Sequence, residues 1–125
     1  MTKIKNSKQK TFDLEDRTFS FAKNVRAFVK KLPRSISNIE DVKQVVRSSG
    51  SVGANYLEAN GSLGKKDFQM HIKISRKEAR ESKYWLRLLG VGEIVSLESQ
   101  RAKLSQEAQE LTNIFGAILK KSTKF

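Results

Sequence analysis

Apolar residues recur at spacings of three and four along most of this chain and nowhere alternate one by one. That period belongs to helices with one buried face and argues against a sheet. Three stops cut it into four blocks. Pro33 ends the first, because the residue before a proline resists the α region. Asn60-Gly61 ends the second and Gly90-Val91-Gly92 the third. Four long blocks with short connections predict an all-α fold, an antiparallel up-down-up-down four-helix bundle over residues 13–121. The chain's 125 residues fit one such domain. Residues 1–12, MTKIKNSKQKTF, hold four lysines and no apolar core, which predicts a flexible basic tail and no secretory signal. Residues 122–125 are expected to fray.

Each block has its own signals. In the first, Leu14, Thr18, Phe21, Val25, Phe28 and Leu32 share one face of a helix of about twenty residues, with Asp13 as N-cap. In the second, Ser37 with Glu40 three residues later is a capping box. Its expected inward face is Val42, Val46, Ser49, Gly53, Tyr56 and Leu57. The middle of that block, RSSGSVGAN, is poor in helix propensity, and its two glycines cost roughly 2 kcal/mol against alanine. A loop is the rival there, but the apolar register runs through unbroken. The small side chains of Ser49, Gly50, Gly53 and Ala54 are then expected to admit a close neighbouring backbone. The third helix is expected from Lys65 to Leu89, with Gly64 at its N-cap and Asp67 in its first turn. The fourth runs from Ser96 or Ser99 to Lys121 and buries Leu104, Ala108, Leu111, Phe115 and Ile118.

Composition narrows the partner. Lys and Arg outnumber Asp and Glu by 25 to 13, a net charge of +12. That surplus exceeds what solubility needs and draws polyanions, nucleic acid first and an anionic membrane surface second. There is no cysteine, which excludes disulfides and thiolate metal sites and is compatible with a cytoplasmic protein. No apolar run of about eighteen residues exists to span a membrane.

The third helix carries most of the information. On a helical wheel Lys65, Lys66, Lys73, Arg76, Lys77, Arg80, Lys83 and Arg87 fall within a sector of about 120°. A one-sided cationic stripe is the footprint of a phosphate-backbone binder. Its bland alternative is a solvated face paired with acids on adjacent helices. Only Tyr84 brings an aromatic ring to the stripe's border, so base stacking is weakly supported. Phe68, Ile72, Ala79, Leu86 and Leu89 face the core. Met70, Ile74, Trp85 and Leu88 form a second apolar strip roughly 150° away. A bundle helix needs one strip, so the second is the expected oligomer interface, with Trp85 as its anchor.

Arg47 and Glu58 share a face of the second helix, and Glu78 and Glu81 lie beside the apolar strips of the third; these four are the expected structural polar network. His71 is the one histidine, and no Glu stands three residues before it, so the di-iron pattern of bundles is missing. No phosphate-binding glycine loop or nucleophile elbow is present. The expectation is no catalytic residue, no metal and no cofactor.

The stretch from Arg47 to Ala59, RSSGSVGANYLEA, resembles the central signature of the bacterial four-helix bundle family of 23S rRNA intervening-sequence proteins. Lys65-Lys66-Asp67-Phe68 and the segment from Lys77 to Leu86, KEARESKYWL, resemble its second signature. Gly64 departs from the more usual Ser and weakens the N-cap. The resemblance covers nearly all of residues 12–120. It implies an up-down bundle assembling as a homo-oligomeric ring, typically a pentamer, with rRNA as one nucleic-acid partner. It also implies kinship to the accessory protein of diversity-generating retroelements, which works with a reverse transcriptase.

Overall fold

The computed structural model describes residues 13–123, so the readings of the tail over 1–12 and of the last two residues lie outside the described part. Four helices form, α1 (Leu14–Val29), α2 (Ile36–Asn60), α3 (Lys65–Leu88) and α4 (Val95–Ser122), with no strand among the described residues. α1 packs on α2 and α4, and α3 packs on α2 and α4, while the diagonal pair α2 and α4 meets through core side chains, the Tyr56 and Phe115 rings with centroids 5.7 Å apart. The core sits at the centre of this square, filled by Phe21, Phe28, Ile72, Leu86, Leu111 and Phe115, each no more than 1% exposed. No helix is long and apolar enough to cross a membrane among the described residues.

α1 starts where its sequence places it, with the Asp13 carboxylate accepting from the Asp16 N–H at 3.1 Å. That backbone bond holds the Asp13 carboxyl below its ordinary range. The helix is shorter than expected, 16 residues. Its last turn tightens instead, with Lys31 N–H on Phe28 O and Leu32 N–H on Val29 O, and Leu32 stays buried.

α2 departs from expectation at two points. Its N-cap is Ser35, not Ser37: the Ser35 backbone is extended, and its hydroxyl accepts from the Asn38 N–H at 3.1 Å. The reason is Asn38, which is buried three residues in. Its amide donates to Pro33 O at 2.9 Å and Gly90 O at 2.8 Å, and its oxygen accepts from Gly90 N–H at 2.8 Å. One side chain thus ties the α1–α2 connection to the α3–α4 connection and fixes where α2 begins. Ser35→Ala is expected to cost about 1 kcal/mol in urea unfolding, and Ser37→Ala less than about 0.5 kcal/mol. A reversed order would return the cap to Ser37.

The second departure is rotational. RSSGSVGAN is helical throughout, but the buried face is Asn38, Val45, Ser48, Ser49, Val52 and Ala59, while Leu57 is 54% exposed. α2 lies between two partners, and the narrowest contact belongs to small polar residues. Ser48 Oγ meets Ser82 Oγ at 2.8 Å, and Ser75 Oγ donates to Val52 O at 2.9 Å. These hydroxyls are satisfied, so they bury without penalty. On the other flank, a Cβ at Gly53 would stand 2.9 Å from Thr18 Oγ1, so α1 closes on α2 where glycine leaves space.

α3 starts at Lys65 behind Gly64, which offers no side-chain cap. After it, Gly92 takes φ 67°, a left-handed conformation suited to glycine, while Val91 is buried. α4 starts at Val95, slightly ahead of expectation, and buries Leu97 and Thr112 with Ala108, Leu111 and Phe115; Leu104 and Ile118 are half-buried. Asn55, Val52 and Ser48 on α2 meet His71, Ser75 and Ser82 on α3. Arg17 on α1 meets Glu107 on α4, and Lys31, just past α1, meets Gln100 on α4.

Candidate functional site

Lys65 and Lys66 open α3, and Arg87 lies in its last turn, so the cationic stripe runs the length of that helix. Lys65, Lys66, Lys73, Arg76, Lys77, Arg80 and Arg87 are exposed; Lys83 is half-buried. At an edge of the stripe α4 approaches. The Lys83 ammonium donates to Gln109 Oε1 at 2.9 Å. The Arg76 guanidinium lies over Gly116, where a Cβ would come within 3.3 Å of Nε.

The α4 acids are engaged elsewhere. Arg17 bridges Glu107 and Glu110, each at 2.8 Å, across α1 and α4. The Gln106 amide and then Arg17 hold the exposed Glu110 carboxyl below its ordinary range. Lys43 meets Glu40 at 3.3 Å, and Glu98 pairs with Arg101. Among the described residues no ion pair involves Lys66, Lys73, Arg76, Lys77, Arg80, Lys83 or Arg87. Neighbouring helices therefore leave the charge of the stripe unneutralised. Asp67, at its start, turns toward His71 instead, 3.6 Å from Nε2.

The polar residues singled out in the sequence divide. Arg47 donates to Glu78 at 3.1 Å and stands 3.9 Å from Glu81. Glu78 is 5% exposed, so Arg47 covers a buried carboxylate at the α2–α3 seam. Glu58 does not join them. It lies three turns further along α2, about 16 Å by helical rise, with no ion pair among the described residues. His71 has a partner at each ring nitrogen, Nδ1 on Asn55 Oδ1 at 3.1 Å and Nε2 near Asp67.

The second apolar strip also divides. Met70 is 47% and Leu88 50% exposed, Ile74 is half-buried, and Trp85 packs against the core. The Trp85 ring meets the exposed Tyr84 ring edge-on, with centroids 5.1 Å apart. The strip is thus rooted in the fold at Trp85 and open at both ends.

Two features lie beyond the residues marked in the sequence. The first is a groove of about 540 Å³ between α1 and α2, whose walls include Phe19, Ala22, Gly50, Ala54 and Leu57. The second is a polar hollow of about 390 Å³ between α3 and α4, which joins Lys83 and Arg87 to Arg101, Ser105 and Gln106. Arg101 and Ser105 stand four apart on α4 and so share a face. Helical spacing on α4 is the one sequence signal that joins them.

The family described as 23S rRNA-intervening sequence protein matches residues 10–117. A crystal structure of a protein with unknown function from the S23 ribosomal protein family of Bacteroides thetaiotaomicron VPI-5482 is similar to this chain, with a TM-score of 0.74 and 31% identity over 85% of this chain and 97% of that one. No curated protein matches the chain.

Proposed function

We propose that this chain, which belongs to the 23S rRNA-intervening sequence protein family, is a non-enzymatic, homo-oligomeric, up-down-up-down bundle that binds the phosphate backbone of nucleic acid. One observation carries the binding: an exposed cationic stripe on α3 whose members from Lys66 to Arg87 have no carboxylate partner among the described residues. A solvated face that merely balanced its neighbours would show the α4 and α2 acids turned toward it. The α4 acids bond Arg17 and Arg101 instead, Glu40 of α2 bonds Lys43, and the acids Glu78 and Glu81 of α3 itself meet Arg47. The family's description favours rRNA as the nucleic acid. Fluorescence anisotropy with an rRNA fragment in low salt tests this reading. Absence of any complex there overturns it.

Self-association is the second part of the proposal, and the half-exposed Met70 and Leu88 support it. The resemblance favours a five-membered ring. Trp85→Ala is a poor probe, because Trp85 packs on the core and its loss weakens the fold as well. Leu88→Asp is cleaner. It is expected to convert the assembly to monomers in light scattering while leaving the helical circular dichroism intact. A wild-type chain already monomeric at micromolar concentration overturns the oligomer.

A protein adaptor, such as a partner of a reverse transcriptase, is the second reading, favoured by exposed Phe19 and Leu57 at the α1–α2 groove. It predicts no polynucleotide affinity of the chain alone, which the same anisotropy measurement decides.

A further inference from the structure

The hollow between α3 and α4 holds a chemical imbalance that the fold itself does not resolve. Lys83, Arg87 and Arg101 reach it, against one carboxylate, Glu98. Arg101 is fixed in place, its guanidinium donating to Leu89 O and to Glu98. Lys83 spends one of its three N–H donors on Gln109 and keeps two. Arg87 makes no hydrogen bond or ion pair among the described residues.

Ser105 lines the same hollow. Its Oγ is buried and has no hydrogen-bond partner, the one such side-chain atom among the described residues. Other hydroxyls on α4 bond back to the preceding turn: Thr112 to Ala108 O at 2.7 Å, Ser122 to Leu119 O at 2.8 Å and Thr123 to Lys120 O at 2.8 Å. The buried serines on the other side of the core are also satisfied, as Ser48, Ser75 and Ser82 are. A buried unsatisfied hydroxyl is costly and needs an explanation. Here it lines a hollow with three cationic side chains around it.

We infer that this hollow is a seat for a phosphate group, held by Lys83, Arg87 and the Ser105 hydroxyl, with the Arg101–Glu98 pair as its fixed, charge-balanced wall. The chemistry selects the ligand. A serine O–H, two free ammonium N–H groups and a guanidinium fork are all donors, and a phosphate offers several strong acceptor oxygens to converge on them. Glu98 is occupied by Arg101, so it does not stand free to repel the anion. Lys83 and Arg87 also end the α3 stripe, so the seat is a fixed point on the path of a phosphate backbone. Only the source of the phosphate, a polynucleotide, rests on the function proposed above; the seat itself does not.

Isothermal titration of the full chain with inorganic phosphate, against chloride at matched ionic strength, tests the seat. The variants are Ser105→Ala, Arg87→Gln and the charge-matched control Lys30→Gln at the C-cap of α1. Ser105→Ala removes an unsatisfied group, so its fold should be at least as stable as the wild type, which a melting curve checks. The expected result is phosphate binding that falls roughly tenfold in Ser105→Ala and in Arg87→Gln and is unchanged in Lys30→Gln. Absence of phosphate binding in the wild type, or a Ser105→Ala chain that binds as well as the wild type, overturns the seat. An anisotropy arm then reads the source with an oligoribonucleotide. If Arg87→Gln and Ser105→Ala weaken the oligonucleotide and inorganic phosphate competes with it, the seat takes backbone phosphate. If they leave it unchanged while phosphate binding is lost, the seat takes free phosphate. Phosphate binding with no oligonucleotide binding overturns the proposed function and leaves the seat standing.

Discussion

Gly53→Val is expected to destabilise the bundle by roughly 3 kcal/mol, lowering the thermal midpoint by roughly 10 °C. The cause is the α1–α2 crossing. A Cβ at Gly53 would lie 2.9 Å from Thr18 Oγ1 and 3.2 Å from Thr18 Cβ. Thr18 cannot swing aside cheaply, because it is 1% exposed and its hydroxyl is donated to Leu14 O at 2.9 Å and Glu15 O at 3.0 Å. The two helices must therefore part, which opens the contact of Val52 and Val25 with the core on either side. Gly50 is the matched control, one turn away. A Cβ there meets the outer guanidinium of Arg26 at 3.3 Å, a flexible and exposed group that can move. Gly50→Ala should thus gain helix propensity and stabilise by about 0.5–1 kcal/mol. Two glycines of one signature are expected to respond with opposite signs. Urea unfolding of both variants decides it, and a neutral Gly53→Val would show that α1 does not press on this position.

That contrast also marks what the sequence could say. The period of large apolar side chains located α1, α3 and their buried faces, because Phe21, Val25, Phe28, Ile72, Ala79 and Leu86 follow it without interruption. It placed only part of the inward face of α2, whose tightest contacts use serine and glycine. Ser49 and Gly53 stand at close contacts as their spacing suggests, but Val45, Ser48, Val52 and Ala59 are buried while Leu57 is exposed, because α1 and α3 approach on opposite flanks. The cap of α2 was misplaced for a related reason. Ser37 and Glu40 spell a capping box locally, but Asn38 also bonds Gly90 O, in a connection 52 residues away. The stripe on α3 was legible, since helical spacing alone places cations on one face. Whether acids neutralise it was not, because that depends on which way Glu107, Glu110 and Glu98 turn on another helix. The same limit hid Arg101 and Ser105. Their meaning arises only where α4 lies against Lys83 and Arg87.

The affinity of the chain for polynucleotide is expected to fall about a thousandfold between 50 and 200 mM monovalent salt. Lys66, Lys73, Arg76, Lys77, Arg80, Lys83 and Arg87 are cations with no carboxylate partner among the described residues, so each that meets a phosphate displaces a condensed counterion rather than an internal acid. Seven such contacts on a single strand give a slope of roughly −5 in log K against log salt, and a duplex gives roughly −6. Lys73→Gln with Lys77→Gln should make the slope shallower by about 1–2 and weaken binding evenly across sequences, because backbone contacts carry no base information. Both side chains are exposed, so the bundle should melt as the wild type does. Replacing Arg17 instead removes a cation already bridged to Glu107 and Glu110, and should leave the slope unchanged while weakening the α1–α4 seam. Total charge alone predicts a loss from either change, about half as large for Arg17 as for the double variant. The stripe predicts a loss from one and not the other, and a titration of the two variants across that salt range tells them apart.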